Sequence, residues 1–304
     1  MAPATPKSPK LGVPHKLAPG LRRVLAPNAS PMTYWGTNTY LLGSRDIAVI
    51  DPGPPDETHL TAILNALESH QRISHIFVTH SHIDHSPLAM VLAQITGAKV
   101  HGFGDSSAGR ADVMAGLADL GGGEGRDEAF MPDVTLPDGA SVAGSDWTLT
   151  ALHTPGHMGN HLCFAWPEAQ ALFSGDLVMG WATSMVSPPD GHLTDFMASL
   201  ERLLAREGDQ VYFPGHGAPI TEPHARVAEL HAHRRMREGQ IMAALARAPG
   251  TPAQLTAQIY TDVPTALLPA AERNVLAHLI DLSARQQVST DGPLTATCSF
   301  SLSR

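Results

Sequence analysis

The segment His80–His85 constrains the fold of this chain more than any other. It reads HSHIDH, so three histidines and one aspartate fall within six residues. Chance placement would produce this pattern roughly 0.003 times per chain of this length and histidine content. Imidazole nitrogens and a carboxylate are the ligands that a borderline divalent ion such as zinc prefers. The apolar run Ile76–Thr79 before the segment predicts a buried strand, and Leu88–Ile95 after it predicts a helix. A strand–loop–helix unit with its polar residues on the loop is typical of α/β folds.

Composition limits the classes of function. Hydrophobic residues make up 43% of the 304 residues and charged residues 16%, which is typical of a globular protein with a sizeable core. The net charge is −9, so a broad basic surface for nucleic acid is not expected. The two cysteines, Cys163 and Cys298, lie far apart and predict neither a disulfide framework nor a zinc ribbon. The sequence shows neither a secretory signal nor a long apolar span, so we expect a cytoplasmic location and no membrane association.

The chain divides into three predicted regions. Residues 1–30 contain six prolines and three lysines, and we expect a tail that is loosely ordered or lies over the domain surface. Residues 31–223 alternate short apolar runs with helical patterns and predict a catalytic α/β domain. Residues 224–304 become mainly helical and end in a predicted hairpin, which indicates a small winged-helix-like domain.

Further metal-ligand residues follow other predicted strands. His157 comes after a strand that ends near His153, Asp176 after the run Ala171–Phe173, and His216 after Val211–Phe213. Pro-Gly pairs precede His157 and His216 and turn the chain sharply there. Together with the first segment they predict a site for two divalent ions, with seven candidate ligands: His80, His82, Asp84, His85, His157, Asp176 and His216.

These motifs resemble those of the metallo-β-lactamase fold superfamily, in order and over roughly residues 30–220. The resemblance implies an αββα sandwich, in which two β-sheets face each other with helices outside. It also implies separate roles for the ligands. One metal would be held by His80, His82 and His157, the other by Asp84, His85 and His216, and Asp176 would bridge the two. Asp51 would anchor the ligand loop by hydrogen bonds, and His161 would either hydrogen-bond near the metals or contact the substrate.

A narrower resemblance is to the β-lactamase-like protein 2 family of metal-dependent hydrolases. It rests on the strings Gly36–Leu41, Thr154–His157 with His161, Ser174–Asp176, Pro214–Gly217 and His233–Glu238. Animal members of that family cleave single-stranded RNA, which implies RNA as one substrate and phosphate contacts for Arg234, Arg235 and Arg237.

Several chemistries of the superfamily stay open. Di-iron oxidoreductases usually carry Glu where this chain has His82, so we expect zinc, with manganese or iron(II) as alternatives. A glyoxalase II-like thioesterase shares Asp176 but has a glutathione-binding pattern that is not found here. The expected reaction is attack by a metal-bound hydroxide on an ester-like or phosphodiester bond, with Asp84 as the catalytic proton acceptor.

The segment Leu177–Phe196 follows Asp176 and carries Met179, Trp181, Met185 and Val186. We expect it to form an apolar wall over the site, which would suit a small ester, thioester or lactone. Ordinary packing of this segment in the core, or a homodimer contact, is the alternative.

Overall fold

Two facing β-sheets form the centre of the fold. The computed structural model describes residues 7–117 and 119–303. The first sheet has seven strands in the spatial order in which they follow along the chain. They are β1 (His15–Ala18), β2 (Leu21–Leu25), β3 (Asn38–Leu42), β4 (Asp46–Ile50), β5 (Arg72–Phe77), β6 (Lys99–Gly102) and β7 (Val134–Thr135). Strands β1 to β4 pair antiparallel, and β4 to β7 pair parallel.

The second sheet has five strands in the order β12-β11-β10-β9-β8. They are β8 (Ser141–Ala143), β9 (Thr148–His153), β10 (Leu162–Trp166), β11 (Ala171–Gly175) and β12 (Val211–Pro214). Only β11 and β12 pair parallel. Among the described residues, this part of the chain has four α-helices: α1 (Glu57–Asn65), α2 (Leu88–Thr96), α3 (Asp112–Ala115) and α4 (Leu193–Leu204).

Successive side chains along each strand point to opposite faces of the sheet, so each sheet has an inner and an outer apolar layer. On β4, Ala48 and Ile50 face the second sheet, whereas Ile47 and Val49 face α1 and α2. On the second sheet, β10 sends Phe164 towards the first sheet and Cys163 towards α4. Helices therefore cover both outer faces, and the predicted αββα sandwich is confirmed.

The expected N-terminal tail is wrong where it overlaps β1 and β2. These strands extend the first sheet, and Leu21 and Val24 are completely buried. The proline-rich composition concealed the short run Leu21–Leu25, which pairs with β3 over five residues. The part of the expected tail at residues 1–6 lies outside the described residues.

The C-terminal part is helical and ends in a hairpin, as predicted. Its elements are α5 (Pro223–Leu245), α6 (Pro252–Ile259), α7 (Leu268–Ala284), β13 (Val288–Thr290) and β14 (Phe300–Leu302). Strands β13 and β14 pair antiparallel as the wing. Helix α5 begins at Pro223, next to the predicted domain boundary. The boundary itself stays a prediction. Val227 and Leu230 of α5 pack into the same apolar cluster as α4, so the two parts share a buried contact.

None of the helices within residues 7–117 and 119–303 combines the length and apolar character that crossing a membrane requires.

Candidate metal centre

The seven candidate ligands meet at one edge of the sandwich, where loops leave the ends of β5, β9, β11 and β12. The ligand atoms of His80, His82 and His157 lie within 4.8 Å of one another, and so do those of Asp84, His85 and His216. Oδ2 of Asp176 lies 3.7 Å from Nε2 of His157 and 3.3 Å from Nε2 of His216. This carboxylate therefore stands between the two clusters.

Hydrogen bonds from Nδ1 to groups outside the seven candidate ligands fix the orientation of three imidazoles, those of His157, His216 and His85. Nδ1 of His157 donates to the carbonyl of Met185 at 2.7 Å, and Nδ1 of His216 donates to that of Gly36 at 3.2 Å. Nδ1 of His85 donates to the Asp51 carboxylate at 2.9 Å. In the neutral form of each of these three rings, which is the form that binds a cation, the Nε2 lone pair faces the cluster.

Asp51 holds the ligand loop from below. Its Oδ1 accepts the backbone N–H of Thr79 at 2.7 Å, and its Oδ2 accepts the Thr79 hydroxyl at 2.8 Å. Because that hydroxyl donates to Asp51, its oxygen accepts from Nδ1 of His80 at 3.0 Å. Asp51 thus acts on two predicted ligands, His85 directly and His80 through Thr79. It lies beneath the ligands and 2% of it is exposed, consistent with the anchoring role expected for it.

His161 also lies beneath the ligands. It is completely buried, and its Nε2 accepts the backbone N–H of Asp176 at 3.2 Å. Nδ1 therefore donates to the hydroxyl of Thr154 at 3.0 Å. Burial lowers the pKa of His161 well below its usual value, in agreement with a neutral ring that accepts at Nε2. Of the two roles expected for His161, the geometry favours support of Asp176, since a buried ring cannot reach a substrate.

A glycine lets the two halves of the site approach closely. A Cβ atom at Gly215 would lie 2.3 Å from Oδ1 of Asp176 and 2.7 Å from Cε1 of His85. Any side chain there would displace two candidate ligands. The Pro-Gly pair before His216 therefore supplies space for the ligands as well as a turn.

The two clusters differ in electrostatics. Burial and the neighbouring His157 lower the pKa of His82 to about 3, so this ring is neutral, the form that binds a cation. Burial also acts to lower the pKa of His216, but the carboxylates of Asp176 and Asp84 raise it to about 9. A cation bound in the second cluster therefore displaces protons, and its affinity increases with pH.

The donor set fits divalent cations such as zinc. Imidazole nitrogens and carboxylate oxygens converge in two overlapping groups, and oriented Nε2 lone pairs point at them. Oδ1 of Asp176 is buried and accepts no hydrogen bond from any described residue. A bound cation would satisfy this oxygen, whose desolvation is otherwise unfavourable.

A cavity of about 610 Å³ opens directly from the ligands. Met179, Trp181 and Met185 line it, as the sequence predicts for the segment Leu177–Phe196, whereas Val186 of that segment is buried in the core. The opposite wall comes from the C-terminal part, which contributes Tyr260 and Leu267. The cavity therefore lies between the two parts of the chain.

Sequence reasoning did not identify the loop Gly121–Arg126 as part of the site. The carbonyl of Gly125 accepts the backbone N–H of Ile83 at 2.9 Å, which ties this loop to the ligand loop. Arg126 in turn donates to Asp190 at 3.1 Å, and Arg110 donates to the same carboxylate at 2.6 Å. These bonds cross 64 and 80 residues of sequence, so no local pattern could indicate them.

The three arginines considered for RNA contact occupy different environments. Arg234 is only 3% exposed and donates to Asn274 at 2.7 Å. Arg235 is exposed and pairs with Glu238 at 3.5 Å. Arg237 lines the cavity, with its guanidinium above the ring of Tyr260. They do not form one exposed basic surface of the kind that binds a phosphate backbone.

Comparison with known proteins agrees with the fold and the ligand motifs. The family model of the metallo-beta-lactamase superfamily matches residues 32–216, and that of the beta-lactamase associated winged helix domain matches residues 251–293. The chain is 32% identical to a beta-lactamase-like protein 2 homolog from Caenorhabditis elegans, over 86% of this chain and 83% of that protein. It is also 32% identical to an atrochrysone carboxyl ACP thioesterase from Aspergillus terreus, over 79% of this chain and 67% of that protein.

A solved structure shares the whole architecture. The crystal structure of a beta-lactamase domain protein from Burkholderia ambifaria superposes with a TM-score of 0.80 at 21% identity, covering 99% of this chain and 96% of that one. The match to the superfamily model and the relative from Caenorhabditis elegans confirm the predicted family. The chain belongs to the metallo-beta-lactamase superfamily, and the enzyme class that this membership supports is a metal-dependent hydrolase.

Proposed function

We propose that this protein hydrolyses a thioester or ester whose acyl group is largely apolar. Two divalent ions, with zinc as the expected metal, would be bound at the candidate centre. The observation that carries the proposal is the cavity beside the ligands, with its wall of Met179, Trp181 and Met185. A pocket that is mainly apolar, with a small number of polar groups in its lining, suits a small organic substrate. The thioesterase named among the relatives, at 32% identity, supports the same reading.

The seven residues would share the work as the motifs imply. His80, His82 and His157 would hold one ion; Asp84, His85 and His216 would hold the other; and Asp176 would contact both. Two such ions lower the pKa of water towards neutrality and stabilise negative charge that develops on a substrate. Asp51 and His161 would position ligands, since both are buried beneath them.

Asp84 is the proposed proton acceptor. It lines the cavity, and its Oδ2 lies 3.2 Å from Nε2 of His216. Burial acts to raise its pKa, but the imidazoles of His85 and His216 hold the pKa of Asp84 below its usual value. The side chain is therefore an ionised carboxylate at neutral pH and can accept a proton at the cavity floor.

A substrate panel tests the proposed reaction. Zinc-loaded protein is assayed with acyl N-acetylcysteamine thioesters of increasing acyl length, a lactone, a bis-aryl phosphodiester, a β-lactam and a single-stranded RNA. We expect the thioesters to give the highest kcat/KM, increasing with acyl length because a longer chain buries more apolar surface. Faster cleavage of the phosphodiester or the RNA would contradict the proposed substrate class. Elemental analysis of the purified protein that finds iron with little zinc would contradict the choice of metal.

Replacement of Asp84 tests its role. We expect Asp84→Asn to lower kcat by about 10²- to 10⁴-fold at matched metal content, because the amide cannot accept the proton. Asp291→Asn, at an exposed carboxylate of the wing, is the control and should leave kcat unchanged. If the Asp84 variant keeps full metal occupancy and full kcat, another group accepts the proton.

A further inference from the structure

The wall of the cavity that the C-terminal part supplies is basic. Arg234 and Arg237 of α5 line the cavity, and so does His233, whose ring is neutral because burial lowers its pKa to about 4. Their spacing of three and four residues places them on one face of the helix. Arg237 lies over the ring of Tyr260, with the guanidinium carbon 4.1 Å from the ring centroid. This stacking holds the guanidinium in place on the wall.

Within residues 7–117 and 119–303, none of these three side chains forms an ion pair with a carboxylate, although Glu124 also lines the cavity. The acidic neighbours on α5 are engaged elsewhere: Glu238 pairs with Arg285 at 2.7 Å, and Glu229 pairs with Arg226 at 2.7 Å. Across the cavity, Asp190 pairs with Arg110 at 2.6 Å. The arginines of this wall therefore have only neutral hydrogen-bond acceptors as partners among the described residues.

The guanidinium groups of Arg234 and Arg237 differ in how many of their N–H donors have a hydrogen-bond partner. Arg234 donates to Asn274 and to the carbonyl of Ser184, both neutral oxygens. Burial lowers the pKa of Arg234 to about 10, which indicates how unfavourable its desolvation is. Arg237 donates to Gln240 at 2.9 Å, while its Nε is buried without any partner among the described residues. Arg237 is half-buried and thus keeps N–H donors for a ligand, and a guanidinium of this kind forms charge-assisted hydrogen bonds with an anion.

We propose that the cavity takes a substrate with an anionic group, carboxylate or phosphate, remote from the scissile bond, and that Arg237 binds this group. The inference rests on the proposed function, because it places the scissile bond at the candidate metal centre and the anionic group at the opposite wall. Arg237 is then a specificity-determining residue of the C-terminal part. The anionic group belongs either to the acyl half or to the thiol half of the substrate.

A binding experiment tests the proposal without turnover. Calorimetry measures the affinity of zinc-loaded protein for linear dicarboxylates of four to ten carbons and for monocarboxylates of the same lengths. The metal centre can take one carboxylate of either ligand, so the second carboxylate reports on the opposite wall. We expect wild-type protein to bind a dicarboxylate of one length about 10- to 100-fold more tightly than the matched monocarboxylate, the range expected of a charge-assisted hydrogen bond.

Variants on α5 assign that preference. We expect Arg237→Gln to abolish it and Arg237→Lys to restore part of it. Arg235→Gln is the matched control, because Arg235 is the exposed arginine of the same helix that pairs with Glu238. Thermal unfolding of each variant checks that the fold is retained. Equal affinities for the two ligand series in wild-type protein, or a preference that Arg237→Gln leaves intact, would overturn the proposal.

Turnover identifies the half of the substrate that carries the anion. Acyl thioesters with a terminal carboxylate are compared with neutral ones of equal length, and thioesters of phosphopantetheine with those of pantetheine. We expect Arg237→Gln to increase KM about 10- to 100-fold for the anionic member of one pair, with kcat little changed. An equal change for both members of both pairs would contradict a charge-specific role. If no thioester is hydrolysed, the proposed function fails, whereas the calorimetry still decides whether Arg237 binds an anion.

Discussion

Single atoms decide what the cluster of imidazoles can do. A neutral imidazole has one donor and one acceptor nitrogen, so a hydrogen bond at Nδ1 leaves Nε2 as the acceptor. His157 and His216 meet backbone carbonyls at Nδ1, whereas His85 meets the carboxylate of Asp51. The Asp51 carboxylate is the one of these three hydrogen-bond partners that a substitution can remove, because the other two are backbone carbonyls. It also increases the basicity of the ring that it holds.

Asp51→Asn is a clean test of that partner. The backbone of Asp51 has φ of 52°, in the left-handed region, which asparagine also tolerates. The substitution therefore changes the hydrogen bonds with little backbone strain. We expect metal affinity to fall about 10- to 100-fold, because the amide offers one acceptor where three donors now converge. Metal titration with a competing chelator measures this fall. Asp46→Asn, in an ion pair with exposed Arg72, should bind metal as the wild type does.

Elements place the ligands without themselves containing them. Strands β5, β9, β11 and β12 end at the same edge, and the loops that follow carry the seven residues. The sequence indicated this arrangement, because each ligand follows an apolar run. Helices α5 and α7 act differently, since they supply a wall from a distant part of the chain. Helix α7 contains His278, which is 1% exposed and has no hydrogen-bond partner at either ring nitrogen among the described residues.

His278 should make the protein sensitive to acid. Burial lowers its pKa to about 3, and the positive charge of Arg234 is the second largest cause in the same direction. The folded state then holds a neutral ring, while the unfolded chain takes up a proton below its ordinary pKa of about 6.5. The resulting stability is complete above about pH 6.5 and is lost as the pH falls towards 3.

His278→Leu removes this dependence. We expect the free energy of unfolding of the variant relative to wild type to increase by about 2 kcal/mol between pH 7.5 and pH 5. Urea unfolding at the two pH values measures the difference. The same substitution at His70, whose side chain is 62% exposed, is the control. A difference between wild type and variant that stays constant over this range would contradict a buried neutral His278.

At the scale of the molecule, one apolar cluster joins the sandwich to the C-terminal part. It contains Phe196 and Leu200 of α4, Val227 and Leu230 of α5, and Ala277 of α7. The cavity lies across the same contact, so its shape depends on how the two parts pack. The predicted boundary at residue 223 therefore lies between two parts of the chain that share a buried surface.

Leu230→Ala tests whether this contact stabilises the whole chain. Leu230 is 2% exposed, and truncation leaves a cavity between the two parts. We expect the free energy of unfolding to fall by about 2–5 kcal/mol. Met236→Ala on the same helix, at a residue 49% exposed, should change it by less than about 0.5 kcal/mol. Two separate unfolding transitions, one for the sandwich and one for the C-terminal part, would contradict a shared cooperative unit if Leu230→Ala shifted only the transition of the C-terminal part.

The sequence by itself determined the apolar runs and the ligand motifs, and the αββα layers followed from the resemblance of those motifs to the superfamily. Periodicity is local, and each ligand follows a predicted buried strand, so His80, Asp176 and His216 were predictable as ligands from their neighbours in the chain. Only the tertiary structure decided the partners that lie far apart in sequence. Arg126 binds Asp190, His161 supports Asp176, and Arg237 reaches the cavity from the C-terminal part. Such contacts depend on how preformed elements pack, because burial and charge pairing act through space and leave no periodic pattern along the chain.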